Sequence, residues 1–319
     1  QTAQFVEALC QAHNWEKDRV EIIAISTKGD EIIDRSLADI GGKGLFTHEL
    51  EQGLSRGDLD FAVHSLKDLP TQMPEGLILG CIPEREDPRD VLISISPNSS
   101  NAQMGTDTTF EMLPHQAVIG SASLRRIAQI KAIRPDFQTQ PLRGNIATRL
   151  KKLTAQTSGA PQATMLAAAG LNRMRLKDPE FDRLMADEAG GQLRYDLLSP
   201  ELMVPAPGQG ALGIQCRAGD NNIRDALSAL DCLHTRAAVT AERAYLQTLE
   251  GSCRTPIAAL AQIHDNQLTL TAKLLAHDGS DFHYFSGTAP MEDAQSLGQK
   301  AAAAAGAEKP HLLPQQTGL

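Results

Sequence analysis

The stretch AVIGSASLRRIAQIKAI, residues 117–133, decides the fold class of this chain. Its apolar start is typical of a buried strand, GSAS is a turn of small residues, and LRRIAQIKAI has helical spacing. The same strand–turn–helix order returns in FQTQPLRGNIATRLKKL, residues 137–153, and in ATMLAAAGLNRM, residues 163–174. This alternation predicts an α/β domain built on a mostly parallel sheet.

The segments on either side extend this pattern. Upstream, hydrophobic spacing predicts a helix at 45–54 and strands at 20–26, 60–65, 77–82 and 90–95. Downstream, the Pro/Gly-rich run MVPAPGQGALGIQC has the composition of a hinge that returns to an earlier sheet, and residues 226–249 have helical spacing. The last part of the chain changes order, with three apolar runs and an Ala-rich helix that predict a separate α+β domain containing three antiparallel strands.

Length and composition set limits on the function. The 319 residues suffice for two or three domains, and the net charge of −9 disfavours a nucleic-acid or anionic-membrane binder. No apolar run approaches the roughly 18 residues of a membrane span. The five scattered cysteines lack metal-site or disulfide-framework spacing, which indicates a reducing cytoplasm: Cys10, Cys81, Cys216, Cys232 and Cys253.

Basic side chains concentrate around the quoted stretch. Residues 121–150 hold six Lys and Arg residues against one acid, whereas the remainder holds 24 against 38. Helix N-termini present free N–H groups, so both strand–helix turns suit an anion, and arginine forks match carboxylates. Arg125, Arg126, Arg143 and Arg149 therefore predict a cationic pocket for a small polyanion. The alternative is that these arginines lie on solvated helix faces.

Two further segments carry candidate chemistry. Asp68 follows a predicted strand in HSLKDLP, where the carboxyl ends of strands face a ligand crevice, and Lys67 would keep it ionised. Its alternative role is an ordinary loop cap closed by Pro70. Cys253 lies on a loop of small residues beside Arg254, which would stabilise a thiolate; the alternative is an inert thiol. The other four cysteines lie in apolar strand or helix patterns, which predict inert buried thiols. EREDPRD, residues 84–90, fits either metal carboxylates or a salt-bridged turn.

Seven motifs, in order over about residues 1–290, resemble the porphobilinogen deaminase (hydroxymethylbilane synthase) family: GGKGLF (41–46), DFAVHSLKDLP (60–70), EREDPRD (84–90), GSASLRR (120–126), PLRGNIATRL (141–150), PAPGQGALGI (205–214) and EGSCRTPI (250–257). The resemblance implies a transferase that polymerises four porphobilinogen units head-to-tail, with loss of ammonia, onto a covalently bound dipyrromethane primer. Hydrolysis then releases hydroxymethylbilane for haem and other tetrapyrrole biosynthesis.

The resemblance also assigns roles to residues. It implies that Cys253 carries dipyrromethane through a thioether and that the catalytic Asp68 stabilises positive charge on the pyrrole nitrogens. The implied cofactor-binding residues are Lys67, Asp68, Ser123, Arg125, Arg126, Arg143, Gly144 and Cys253. The implied substrate-binding residues are Lys43, Phe46, Arg85, Arg126, Arg149 and Gln209. The family pattern contains no metal.

The implied fold is two α/β domains like those of periplasmic binding proteins, joined by hinges, plus a small α+β domain. Domain 1 is expected at 1–85 and 208–229, domain 2 at 89–204, and domain 3 at 232–319. The expected protein is a cytoplasmic monomer that binds neither nucleic acid nor membranes. Because the family's first strand and a substrate arginine precede Gln1, we expect activity of a longer chain rather than of this one. The alternative is a non-catalytic two-lobed binding protein for a small polycarboxylate.

Overall fold

The computed structural model describes residues 1–27, 47–95, 110–155, 159–178, 181, 193–251 and 255–314. In chain order its main elements are α1 (Thr2–His13), α2 (His48–Arg56), β1 (Phe61–Ser65), β2 (Leu77–Cys81), β3 (Asp90–Ile95), β4 (Val118–Gly120), α3 (Leu124–Ile133), β5 (Gln138–Gln140), α4 (Ile146–Thr154), β6 (Ala163–Ala167), α5 (Ala168–Lys177), β7 (Leu193–Leu197), β8 (Leu212–Arg217), α6 (Asn221–Ser228), α7 (Leu233–Thr248), β9 (Ile257–His264), β10 (Gln267–Leu275), β11 (Phe282–Pro290) and α8 (Ala294–Glu308).

These elements form three sheets with helices packed against them, and we number the three domains by their sheets. Two α/β domains and a smaller α+β domain agree with the predicted fold class. The boundaries between the domains stay a prediction. Among the described residues, no helix has both the length and the apolar character that a bilayer crossing requires.

Domain 1 takes the middle strand of its sheet from a distant part of the chain. Strands β1 and β2 both pair antiparallel with β8, which lies between them although β3 to β7 separate it from β2 in sequence. Apolar side chains of α1, β2, β8 and α6 form the core, in which Ile214 and Cys216 are fully buried. The chain must therefore pass between domains 1 and 2 twice, once before β3 and once before β8.

Domain 2 has a mixed sheet with the strand order β5-β4-β6-β3-β7. Strand β4 is parallel to its neighbours β5 and β6, whereas β3 is antiparallel to β6 and β7. Of the five described strands of this sheet, β4, β5, β6 and β7 therefore run in the same direction and only β3 is reversed, so the prediction of a mostly parallel sheet is confirmed for domain 2. Helical crossovers α3 and α4 make β4, β5 and β6 parallel, because parallel neighbours need such a connection. The strand–turn–helix alternation of residues 117–174 predicts the direction of these three strands. Strand β3 lies outside that stretch, so its reversed direction was not predicted.

Domain 3 is an antiparallel meander of β9, β10 and β11 covered by α7 and α8. The predicted three strands and Ala-rich helix are confirmed. Alanines dominate the contact between the two helices and the sheet, and Ala241, Ala301 and Ala305 are fully buried. Small side chains let the two helices approach closely, so the Ala-rich tail is part of a packed core.

Two predictions of single elements were wrong. The segment at 20–26 forms no strand with any described residue, and Ile22 and Ile23 are 49% and 52% exposed. An apolar run indicates strand propensity, but a strand also needs a neighbour for its backbone groups. The helix at 226–249 is two helices, broken where Asp231 accepts a hydrogen bond from the backbone N of Ile82 at 2.7 Å. That long-range contact is invisible in local periodicity.

Candidate functional site

Lys67 and Asp68 lie on a short 3₁₀ turn directly after β1. Leu66 and Leu69 flank them and are buried in a cluster of apolar side chains, and the backbone N of Leu66 donates to the carbonyl of Ala211 at 3.0 Å. The leucines fix the turn to the core of domain 1. Its two charged side chains are left accessible to solvent.

Charged groups of domain 2 act on this turn. Burial between the surrounding protein groups raises the pKa of Asp68, while Lys67 and Arg149 lower it. Burial lowers the pKa of Lys67, Asp68 opposes that effect, and Arg126 adds to it. Both side chains keep contact with water, so protein surrounds them without enclosing them. Because Arg126 and Arg149 belong to α3 and α4, the Asp68 turn faces the helix starts of domain 2.

The first strand–helix turn of domain 2 places two arginines on one buried carboxylate. Asp90, at the start of β3, is completely buried, and Arg125 and Arg126 each approach one of its oxygens at 2.7 Å. Arg125 also donates to the carbonyl of Val204 at 2.7 Å, and Arg126 to that of Met165 at 2.9 Å. Their exposed fractions of 5% and 6% contradict the alternative of solvated helix faces for these two arginines. Their part in a cationic pocket for a polyanion stays a prediction.

The charges at this turn are unequal. Burial alone would raise the pKa of Asp90, but the two guanidinium groups and Gln209 hold it well below its usual range. Arg125 retains a buried Nε with no hydrogen-bond partner among the described residues. Ser123 is the N-cap of α3, its side chain makes no capping hydrogen bond, and the first turn contains no acid. The turn therefore keeps the electrostatic character of an anion site.

The second turn, between β5 and α4, brings Arg143, Gly144 and Arg149 together. Gly144 has a φ of +114°, and its carbonyl accepts a hydrogen bond from Nε of Arg149 at 2.7 Å. Burial lowers the pKa of Arg149, and the nearby Arg126 and Arg143 lower it further. The predicted arginines of both turns thus lie close enough to repel one another. Asp68 offsets part of that repulsion.

Arg85 and Gln209 lie at the two crossings between domains, and other protein groups already engage them. Arg85 forms a two-pronged ion pair with Glu242, with nitrogen–oxygen distances of 2.6 and 3.1 Å, and its Nε donates to the carbonyl of Gln209 at 2.8 Å. The side-chain amide of Gln209 donates to Asp90 at 2.9 Å and to the carbonyl of Pro88 at 2.7 Å. These contacts support the crossings; substrate binding by the two residues stays a prediction.

EREDPRD forms the salt-bridged turn, one of the two structures predicted for it. Arg89 pairs with Asp87 at 2.7 Å, and Arg85 pairs with Glu242. Burial first raises the pKa of Asp87, and its hydrogen bonds from Arg89 bring that pKa below the ordinary value. Within the described part of the chain, no group of three metal-ligating side chains is arranged to hold a metal ion.

Sequence reasoning missed several residues that shape the site. Besides Asp90, they are Glu242, Arg243 and Arg173. Glu242 is fully buried and accepts hydrogen bonds from Arg85 and from two backbone N–H groups, while Arg243 donates to the carbonyls of Leu69 and Pro70 at 3.0 and 2.7 Å. Arg173 donates to the carbonyl of Gly210 at 3.1 Å. The only signal for Glu242 and Arg243 was an adjacent acid–base pair within a helix, and such pairs are usually solvated.

Three predicted site residues lie outside the described residues: Lys43, Phe46 and Cys253. Gly251 and Thr255, which flank the cysteine segment, follow α7 and precede β9. The other four cysteines are free thiols; Cys10, Cys81 and Cys216 are buried, as predicted, and Cys232 is partly buried. Burial raises the pKa of Cys81 to about 12, so this thiol is a poor nucleophile.

Comparisons with known proteins cover most of the chain. The family model "Porphobilinogen deaminase, dipyromethane cofactor binding domain" matches residues 1–225, and "Porphobilinogen deaminase, C-terminal domain" matches residues 236–306. "Porphobilinogen deaminase" of Geobacter metallireducens is 43% identical over 300 residues, which cover 91% of this chain and 85% of that protein. The Geobacter sulfurreducens protein of the same name is 42% identical with the same coverage. A crystal structure of YhfZ from Shigella flexneri, at 14% identity, covers 63% of this chain and 78% of its own with a TM-score of 0.24, too low to support an inference.

The fold and the matched regions define a transferase built on two periplasmic-binding-protein-like α/β domains and a C-terminal α+β domain. Cationic side chains of domain 2 face a carboxylate of domain 1. The chain belongs to the porphobilinogen deaminase family, which polymerises porphobilinogen into hydroxymethylbilane in tetrapyrrole biosynthesis. The alternative of a non-catalytic binding protein is not favoured.

Proposed function

We propose that this chain extends a dipyrromethane primer, attached to Cys253 through a thioether, by four head-to-tail additions of porphobilinogen, and then releases the product by hydrolysis. The observation that carries this proposal is the position of Asp68 among cationic groups of both domains. An accessible carboxylate beside Lys67 and Arg149 suits a reaction in which anionic substituents are held while positive charge develops on pyrrole rings.

The residues present fit the cofactor and the substrate. Five cationic side chains lie around two carboxylates, Asp68 and Asp90, among the described residues: Lys67, Arg125, Arg126, Arg143 and Arg149. Asp90 neutralises only part of their charge. Each porphobilinogen carries an acetate and a propionate, so such a cluster would bind their carboxylates through charge-assisted hydrogen bonds worth about 1.5–3 kcal/mol each. When bound, dipyrromethane supplies the free pyrrole α-carbon to which the first unit is added. Ser123 and Gly144 would complete the cradle at the two helix starts.

Asp68 would act on protons and on charge. Its raised pKa brings the carboxyl closer to neutral pH, where a group exchanges protons more readily with a leaving amine. In its ionised form the same carboxylate stabilises the cationic pyrrole that remains when porphobilinogen loses ammonia. Lys67 favours the ionised form of Asp68, because it lowers the pKa that burial raises. Both functions need the side chain to remain accessible, as it is.

Intact mass spectrometry combined with turnover assays tests this proposal. The unaltered protein should carry a covalent two-pyrrole adduct, Cys253→Ser should have the bare polypeptide mass, and Asp68→Asn should retain the adduct but lose at least about 99% of turnover. A bare mass for the unaltered protein would refute the tether. Near-normal turnover of Asp68→Asn would remove Asp68 from the mechanism.

Localisation, oligomeric state and binding partners form the second part of this proposal. We propose a cytoplasmic monomer with porphobilinogen as its small-molecule partner and no affinity for nucleic acid or membranes. The net charge of −9 supports the last two points, because polyanions are repelled by an acidic surface. The free thiols Cys10, Cys81, Cys216 and Cys232 support a reducing compartment. Size-exclusion chromatography with light scattering would test the monomeric state.

A further inference from the structure

The turn between β10 and β11, residues 276–281, docks domain 3 against α3 of domain 2. Gly279 lies at its tip and is buried, although residues 277, 278 and 280 around it are exposed. A β-carbon at position 279 would overlap the carbonyl oxygen of Ala128 and lie 2.6 Å from the backbone N of Ala132. Backbone therefore packs directly on backbone at this point. Only glycine allows so close an approach.

Hydrogen bonds make the turn rigid. The backbone N of Ala276 donates to the carbonyl of Asp281 at 2.8 Å, and that of Gly279 donates to Ala276 at 3.0 Å. The carboxylate of Asp281 accepts hydrogen bonds from Lys309 and His311, each at 2.8 Å, which tie the turn to the segment after α8. A turn braced in this way transmits a displacement of its tip to the body of domain 3.

Domain 3 reaches the same helix by a second route. Val204 packs against Ala258 and Leu260 of β9, and its carbonyl accepts hydrogen bonds from Arg125 at 2.7 Å and Gln129 at 3.0 Å. The backbone N of Val204 in turn donates to the side chain of Gln129 at 2.9 Å. Helix α3 is thus held between the Gly279 turn and the Val204 segment, and both contacts lead to domain 3.

We propose that Gly279 is a positioning residue, whose contact with α3 sets the placement of the primer-bearing domain relative to Arg125 and Arg126. This inference rests on the proposed tether at Cys253, because only a fixed attachment point makes the domain position matter. The two arginines lie at the start of α3, and Gly279 contacts its second half. A one-atom addition at the contact would displace domain 3, which bears the proposed attachment point, relative to these two guanidinium groups.

The competing explanation is that Gly279 only satisfies a turn with a positive φ, here +73°. Gly57 separates the two explanations, because it has a φ of +82° and a β-carbon there would meet nothing within 4 Å. Alanine at either position costs about 1 kcal/mol of backbone strain. Only alanine at position 279 also collides with another domain. Gly57→Ala is therefore a matched control for Gly279→Ala.

The experiment compares hydrogen exchange in peptides covering 124–133, the mass ladder of tethered chains, and turnover. We expect Gly279→Ala to accelerate exchange in α3, to accumulate short tethered chains, and to lower turnover about ten- to hundredfold, as small misplacements of reacting groups do. Gly57→Ala should match the unaltered protein in all three measurements. Equal exchange, ladder and turnover in the two variants would overturn the proposal.

Asp281→Asn provides a second test in case Gly279→Ala does not fold. It adds no atoms at the contact but weakens the brace from Lys309 and His311. Faster exchange in α3 with a severalfold lower turnover supports positioning, and an unchanged α3 overturns it. The proposed function fails in a different way, because absence of any adduct from the unaltered protein leaves the exchange difference between Gly279→Ala and Gly57→Ala intact.

Discussion

Two carboxylates with cationic neighbours, Asp90 of domain 2 and Asp68 of domain 1, differ in their environments. Asp90 is fully buried, with two arginines and an amide on its oxygens, and its pKa lies well below the usual range. Asp68 is accessible, has Lys67 and Arg149 nearby, and has a raised pKa. The oxygens of Asp90 find all of these hydrogen-bond partners within the protein, and the pairing with the two arginines holds α3 to β3. Asp68 remains accessible and only partly neutralised, as a carboxylate that exchanges protons or stabilises a cation requires.

The largest expected effect is a loss of stability when the buried pairing of Asp90 with Arg125 and Arg126 is broken. Asp90→Asn leaves two guanidinium groups without a counter-charge in the interior, so the free energy of unfolding should fall by about 3–5 kcal/mol. Asp68→Asn should change it by less than about 1 kcal/mol, because its charge is solvent-screened. Urea denaturation of both variants measures the difference. Equal losses would contradict the prediction, because they would show that the two carboxylates contribute equally to the free energy of unfolding.

A smaller effect is expected at Arg243, which supports the Asp68 turn from domain 3. Burial lowers the pKa of Arg243 to about 10, and its guanidinium donates to two carbonyls immediately after Asp68. Lysine cannot reproduce this fork, so Arg243→Lys should reduce turnover roughly three- to tenfold. Arg236 on the same helix donates to the carbonyls of residues 79 and 80, remote from the turn. Arg236→Lys is the control, and an equal loss of turnover there would contradict a specific role for Arg243.

The smallest effects should appear in the pH dependence of stability. The lowered pKa of Asp90 contributes stability that is present above its ordinary value of 3.8 and is lost as the pH falls through the folded-state value. The raised pKa of Asp68 contributes stability that is present below 3.8 and is lost as the pH rises through the folded-state value. The free energies of unfolding of the unaltered protein, minus those of each Asn variant, should thus slope in opposite directions between pH 3 and 6. If both differences changed with pH in the same direction, the opposite pKa shifts of Asp90 and Asp68 would be contradicted.

Local sequence signals predicted the elements that carry the site. Helix α3 was predicted at 124–133 and begins and ends there, because a strand, a turn of small residues and helical spacing all lie within one short stretch. The turn after β1 was predicted to present Lys67 and Asp68, and it does so since Leu66 and Leu69 are apolar anchors. The C-terminal meander was equally readable, because its neighbouring strands are consecutive in sequence.

Contacts between distant segments could not be predicted in this way. The pairing of Asp90 with Arg125 and Arg126 joins residues 35 and 36 positions apart, and that of Arg85 with Glu242 joins residues 157 apart. The antiparallel direction of β3 depends on how the chain enters domain 2, which periodicity does not encode. For these features the deciding free energy comes from burial of charges in the assembled fold, whereas propensity reports only on neighbours in sequence.

The insertion of β8 between β1 and β2 has a consequence for synthesis on the ribosome. Domain 1 cannot complete its sheet until residues 212–217 have left the exit tunnel, which at ordinary elongation rates is roughly ten seconds after β2 emerges. Domain 2 is translated within that interval and contains all five strands of its own sheet. The nascent N-terminal segment must therefore wait with exposed strand edges while the middle of the chain folds ahead of it.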